Sequence, residues 1–326
     1  MKNYKLISAL AIVTLLSACG TKNASGAKMP KFAKEGKVVE RADFFKSFDE
    51  KYDLLDFNSD KHIVSSKKMT STYDYYSKFV IASSEGIRVS NVQNNSDEKN
   101  IEADVDNYML SYSGKSTSVS DSKSANGSYD KSTGSQSFKM QSQKIEYRGE
   151  EYFADVDLMN NIAYLYDVVD DSHLLGDTFD SYLKDGLFYT LGINELNGML
   201  EDAKDAPETD LPLFKFSINK NTYTCNYSFE EVYKQKDSED NLIYSRTTKD
   251  TIKVQVTMDD NDFKLVTYIT HSEKREFEQE ATFNGYKIKP GEYVEINGSD
   301  ARVTIIKDAK VNLSLVDTTG FEILAW

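Results

Sequence analysis

The chain reads as a mainly β protein with α elements, an α+β fold. Its expected form is a long, curved antiparallel meander, open like half a barrel, packed against an N-terminal helix and a mid-chain helical insertion. Three observations predict this. Segment after segment beyond residue 70 alternates apolar and polar residues at period two, as strands with one buried face do. Two stretches interrupt that alternation with helical spacing. Aromatic residues reach 12%, with 21 Tyr and 17 Phe, while Pro is scarce at four, a composition for a folded chain rather than a disordered one.

The first stretch is an address. Lys2 and Lys5 precede an apolar run from Leu6 to Leu16, broken only by Ser8 and Thr14. A run this short does not span a bilayer as a helix, which takes about 20 residues, but it suits a secretory core. Leu16-Ser17-Ala18-Cys19 closes it with small residues before a cysteine. This tetrapeptide resembles the lipobox of bacterial lipoproteins. The resemblance implies cleavage of residues 1–18, diacylation of Cys19 (palmitate being a typical chain) and anchorage to the extracytoplasmic face of a cell membrane. Two acyl chains suit a stable anchor, since one alone binds only marginally at about 0.8 kcal/mol per buried methylene. Residues 19–40 are then expected as the lipidated cysteine with a flexible tether, and 41–326 as one β-rich domain. Usage rich in Lys, Asn, Asp and Tyr and poor in Pro suits an AT-rich genome and a Gram-positive surface.

Charge narrows the partners. The formal net charge is -14, and loss of the two signal-peptide lysines makes it -16 on the mature chain. Such a balance argues against nucleic acid, or a layer of anionic headgroups, as a broad partner surface. The tether lysines Lys22, Lys28, Lys31, Lys34 and Lys37 are a local exception.

Within the domain, Phe44, Phe45, Phe48, Tyr52 and Leu55 recur at helical spacing and give an amphipathic helix over 41–55 with an aromatic face. Tyr73, Tyr75, Phe79 and Ile81 then alternate, and Ser84-Glu85-Gly86 breaks the run before Ile87 and Val89. Ile101, Ala103 and Val105 keep one phase and Tyr108, Leu110 and Tyr112 the other, which predicts a bulge or a switch of side. Ten serines among residues 113–137 leave almost nothing apolar, so this stretch is expected as a disordered loop or the wet end of a hairpin. Strand signals resume at Phe138 and flank Arg148-Gly149-Glu150 as a turn. Helical spacing returns over 177–202, where Gly186, Gly192 and Gly198 predict two short helices instead of one. Phe214, Phe216 and Ile218 open a second set of strands, with turns at Asn219-Lys220-Asn221, at 259–262, at Asn284-Gly285 and at Asn297-Gly298, the last two being strong hairpin signals. Val311, Leu313 and Leu315 predict a final strand.

This order of elements, over roughly residues 40–290, resembles that of the LolA/LprG/LppX class of envelope lipid carriers. The resemblance implies a cavity between sheet and helices that takes acyl chains. Tyr73, Tyr75, Phe79, Phe214, Phe216, Val254 and Val256 are the residues on faces that could line it. The same residues could instead pack as a closed core, which would suit a surface protein binding protein or glycan.

Chemistry gives little else. His62, His173 and His271 are the whole histidine set and read as solvated loop residues; no Gly-x-Ser-x-Gly elbow accompanies them. Asp56, Asn58 and Asp60 have the spacing of a calcium loop, but Lys61 stands where Gly belongs and Lys67 where a bidentate acid belongs. Cys225, left alone once Cys19 is acylated, reads as a buried structural thiol. The expectation is a noncatalytic lipoprotein with no cofactor and no metal. Its expected partners are the membrane through Cys19 and a lipid or other apolar ligand, with no nucleic acid.

Overall fold

The structure is a computed structural model and describes residues 26–52, 62–65, 68–104, 109–124, 129–141, 143–147, 150–154, 192–259, 262–307 and 310–312. The expected signal peptide, Cys19, the calcium-like spacing of Asp56 to Lys61, His173 and the first of the two expected insertion helices lie outside these residues. In the first half of the chain the elements are β1 (Lys37–Val39), α1 (Arg41–Tyr52), β2 (His62–Ser65), β3 (Lys68–Ser83), β4 (Gly86–Asp104), β5 (Met109–Lys123), β6 (Tyr129–Gln141), β7 (Gln143–Tyr147) and β8 (Glu150–Ala154). In the second half come α2 (Ile193–Lys204), β9 (Phe214–Asn219), β10 (Thr222–Lys236), β11 (Leu242–Asp259), β12 (Asp262–Phe277), β13 (Ala281–Phe283), β14 (Tyr286–Ile288), β15 (Tyr293–Lys307) and β16 (Lys310–Asn312). No described helix is long and apolar enough to cross a membrane.

One antiparallel sheet of ten strands dominates, in the order β1-β9-β10-β11-β12-β15-β3-β4-β5-β6, and it does not close on itself. Two meanders, β3 to β6 and β9 to β12, lie side by side with β15 between them, pairing β12 on one flank and β3 on the other. The expected mainly β, open antiparallel architecture with helices is therefore present.

The period-two pattern sorts the two faces. One face, here the helix face, carries Phe216, Tyr223, Val256, Leu265, Phe263, Ile306, Met69 and Ile101, in register across seven strands and each no more than 4% exposed. Helix α1 lays Phe44, Phe45 and Phe48 on this face. Phe44 stacks parallel to Phe48 at 5.8 Å between ring centres and lies 5.1 Å from Phe216. The Tyr223 hydroxyl, edge-on beneath these rings, shares a hydrogen bond of 2.9 Å with Ser47 Oγ. Helix α2 buries Ile193, Leu196, Leu200 and Ala203, and Lys204 at its end meets Asp49 of α1 at 2.7 Å. A second, smaller cluster of Ile81, Val89, Phe277, Ile288 and Val294 packs under the β13–β14 hairpin, whose Asn284-Gly285 turn has positive φ at both residues as a type I′ turn requires.

Three expectations are corrected, and one left open is decided. Asn297-Gly298 makes no turn: β15 runs straight through it, with Gly298 paired to His271 on one side and Ser77 on the other. Long neighbours on both flanks supply every backbone partner to an extended chain there, which outweighs the local turn preference. Of the two forms expected for the Ser-rich stretch, it takes the hairpin: it is the body of β5 and β6, registered from Ser111↔Gln141 to Lys123↔Tyr129. Its backbone ladder needs no apolar face, and residues 131–137 are exposed on both sides of the sheet. The change of phase after Val105 is not a bulge within a strand, since β4 ends at Asp104 and β5 begins at Met109.

The third correction concerns the tether. Residues 26–36, placed within it, form a strap across the other face of the sheet. The Ala27 amide donates to Ser299 Oγ of β15 at 2.6 Å, and Ala27 is buried with Tyr76 and Ala301. Lys264 of β12 reaches the Lys31 carbonyl at 3.1 Å, and the Gln255 amide of β11 both donates to and accepts from Ala33. Glu35 pairs with Lys253, whose ammonium also lies 4.6 Å from the centre of the Phe32 ring. Asn219 of β9 holds the Lys34 carbonyl at 2.9 Å. At Gly36 the strap passes so close to Ile218 that a Cβ would lie 1.8 Å from its carbonyl oxygen.

Candidate functional site

Between the two apolar patches of the helix face lies a band of polar and charged side chains. Alternation dictates which they are. Asp250, His271, Asp300, Arg302, Tyr73, Tyr75, Asn95 and Asp97 all share the phase of the core residues but fall where neither helix nor hairpin brings apolar cover.

Asp300, Arg302, Tyr73 and Glu195 form one connected group. The Tyr73 hydroxyl donates to Asp300 Oδ1 at 3.0 Å. The Arg302 guanidinium lies 4.9 Å from the centre of the Tyr73 ring, and its Nη1 approaches Glu195 of α2 at 3.6 Å. Burial pushes the Asp300 carboxyl up to about 6; the Tyr73 hydrogen bond pulls it down, Glu195 adds to the rise and Arg302 opposes it. The Tyr73 hydroxyl is pushed up strongly, first by burial and then by the adjacent Asp300 charge. Helix α2 starts against this group: Gly192 precedes it with φ 70°, and a Cβ there would lie 2.4 Å from Arg302 Cδ and Nη1.

His271 and Asp250, facing each other across β12 and β11, form the second group. His271 Nδ1 and Asp250 Oδ1 are 2.6 Å apart, and both side chains are more than four-fifths buried. His271, expected at a strand end and solvated, thus lies inside β12 and largely buried. Burial and the charges of Asp250 and Asp210 push the neighbouring Tyr227 hydroxyl up to about 12. On β4, Asn95 Oδ1 and Asp97 Oδ1 are enclosed acceptors that receive no hydrogen bond. They share a face with Tyr75 and Tyr73. No group of three or more potential metal ligands occurs among the described residues.

The seven residues expected around a cavity all share the helix face, but they do not converge. Phe216, Val254 and Val256 are core residues, each no more than 4% exposed. Phe214 stacks on Phe216 at 6.1 Å and meets Tyr227 at 5.1 Å. Phe79 belongs to the other patch, stacked on Phe283 at 6.3 Å. Tyr73 and Tyr75 stand in the polar band between. Asp300, Arg302, Glu195 and Asp250 were invisible as site residues, because a charge at a core-phase position looks like any strand charge until its neighbours are known. The turn reading of Asn297-Gly298 also hid the fact that Asp300 and Arg302 lie on a central strand. Cys225 is buried as expected, and burial pushes its thiol up to about 12.

Comparison with known proteins adds no identity. No protein-family model matches the chain, and no curated protein matches it. Among solved structures, the NanC porin is similar at 8% identity over 72% of this chain and 98% of that chain, with a TM-score of 0.11, which establishes no common fold.

Proposed function

We propose that this chain is a noncatalytic lipoprotein, anchored through Cys19 to the extracytoplasmic face of a membrane, that presents its sheet to a polar partner, protein or glycan. The observation that carries the reading is the dispersal of the seven candidate cavity residues. Three are sealed core, two face acceptors and charges, and Phe79 and Phe214 are stacked on neighbouring rings. Phe44, Phe45 and Phe48 occupy the space between α1 and the sheet, the place where an acyl chain would lie in a carrier. The charged and aromatic side chains of the band, Asp250, His271, Arg302 and Tyr75 among them, support a partner with a polar surface. Carriage of a lipid or other apolar ligand is the competing reading.

Two measurements test this. Native mass spectrometry of the mature chain carrying Cys19→Ser is expected to give the polypeptide mass alone; a retained adduct of phospholipid or acylglycerol mass would establish the carrier instead. Metabolic labelling with a palmitate analogue is expected to mark the wild-type chain and to leave Cys19→Ser unmarked.

A further inference from the structure

We infer that the strap face of the sheet lies against the membrane, with the helix face and its polar band directed away from it, and that the surface it meets is an anionic lipid headgroup layer. The inference rests on the anchoring of Cys19 proposed above and adds the orientation that follows from it.

Reach is the first argument. The strap is fixed at Ala27, over Ser299 of β15, and β15 is the sixth of ten strands. The leash leaves the domain near the middle of one face, not at an edge. Only residues 19–26 separate the acylated cysteine from that point, and a fully extended chain of that length spans about 25 Å. Turning the helix face to the bilayer would take the leash around an edge. From β15 to the β6 edge is four strand spacings, about 19 Å, and to the β1 edge five, about 24 Å. A layer of helix about 10 Å thick would then stand between sheet and lipid. Either route exceeds the reach, whereas a domain lying on its strap face uses only part of it.

Surface chemistry is the second, independent argument. The chain as a whole is strongly acidic, but the strap face is not. On the described strands, the side chains that share the strap face include more lysines than carboxylates, among them Lys78, Lys234, Lys249, Lys264 and Lys274. The strap adds Lys28, Lys31 and Lys34 against Glu35 alone. The carboxylates of this face pair with its lysines, Glu295 with Lys78, Glu230 with Lys249 and Glu276 with Lys274, while the two described helices carry further acids on the opposite side, as with Asp43, Asp49 and Glu50 on α1. Of the five exposed large apolar side chains among the described residues, three belong to this side: Met29 of the strap at 60%, Val38 of β1 at 54% and Val232 of β10 at 65%. Lysines interspersed with exposed aliphatic groups suit an anionic interface, where each nearby lysine contributes on the order of 1 kcal/mol. The whole-chain charge, which argues against an anionic headgroup layer as partner, is an average over two unlike faces.

Lysine acetylation footprinting of the mature chain on vesicles tests the orientation. Its Cys19 thiol is coupled to a maleimide lipid in phosphatidylglycerol vesicles, and the buried Cys225 leaves that coupling selective. Relative to the uncoupled protein, Lys234, Lys249 and Lys274 are expected to lose reactivity several-fold, while Lys46 and Lys51 on α1 keep theirs. Protection of the α1 lysines, or of neither set, overturns the inference. Protection no greater on phosphatidylglycerol than on phosphatidylcholine overturns the assignment to an anionic surface. Chemical coupling makes this outcome independent of acylation in the cell, so a failure of palmitate labelling at Cys19 would count against the anchor alone.

Discussion

The Tyr73 hydroxyl and the Asp300 carboxylate, 3.0 Å apart on adjacent strands, hold each other in opposed states. The hydrogen bond favours ionised Asp300, while burial and Glu195 favour the neutral acid and raise it to about 6. A carboxyl raised in the folded state binds its proton more tightly there than in the unfolded chain. Its contribution to stability is therefore complete below the ordinary carboxylate value of 3.8 and is lost as pH rises through about 6. Asp300→Asn keeps an acceptor for Tyr73 without the charge. It is expected to stabilise the fold at pH 7 by about 1–3 kcal/mol, with the gain vanishing below pH 4, as measured by urea denaturation across that range.

Tyr73→Phe removes the donor and leaves the burial. The Asp300 titration, followed by carboxyl carbon NMR, is expected to move above its wild-type midpoint. A shift downward would show that the hydrogen bond does not favour the ionised form.

The two glycines of α2 and its cap make a paired test. Gly192→Ala forces a Cβ into Arg302 at a positive φ and is expected to cost about 1–3 kcal/mol. Gly198, inside the helix with nothing within 4 Å of its Cβ position, is expected to gain about 0.5–1 kcal/mol on substitution by Ala. Denaturant midpoints of the two variants should move in opposite directions.

Phe44 is 1% exposed and touches Phe45, Phe48, Phe216 and Tyr223. Phe44→Ala is expected to cost about 3–5 kcal/mol in thermal or chemical denaturation, the loss typical of an aromatic ring in a closed core. A loss below about 1 kcal/mol would mean that the space is loosely filled, as a carrier's would be.

With its thiol raised to about 12, Cys225 is expected to resist a thiol reagent at pH 8 in the native Cys19→Ser chain. Reaction should follow only on unfolding, so its rate in graded urea reads the opening of the β10–β11 core directly.

Sheet, strand phase and the α1 aromatic face were legible because period and composition encode them locally. Every one of the seven cavity candidates has the phase of the helix face, which alternation alone could tell. Their separation into core, hairpin patch and polar band could not be told, since it depends on strand order. Nothing local says that β15 lies between β12 and β3, and that placement decides both the Asp300 group and the fate of Asn297-Gly298. The strap was missed for a related reason. Its ties are backbone amides and carbonyls held by Ser299, Gln255, Lys264 and Asn219, which leave no period in the strap's own sequence.

Ala27 and Ser299 are 272 positions apart, and that separation orders events in time. The strap docks on a strand that leaves the ribosome 272 residues after it, and the same later strand joins the two meanders into one sheet. Until β15 arrives, the N-terminal segment has no seat and the halves share no border. Assembly of this sheet must therefore finish at its centre, and a chain that stops short of residue 293 would yield two unjoined meanders on a slack leash.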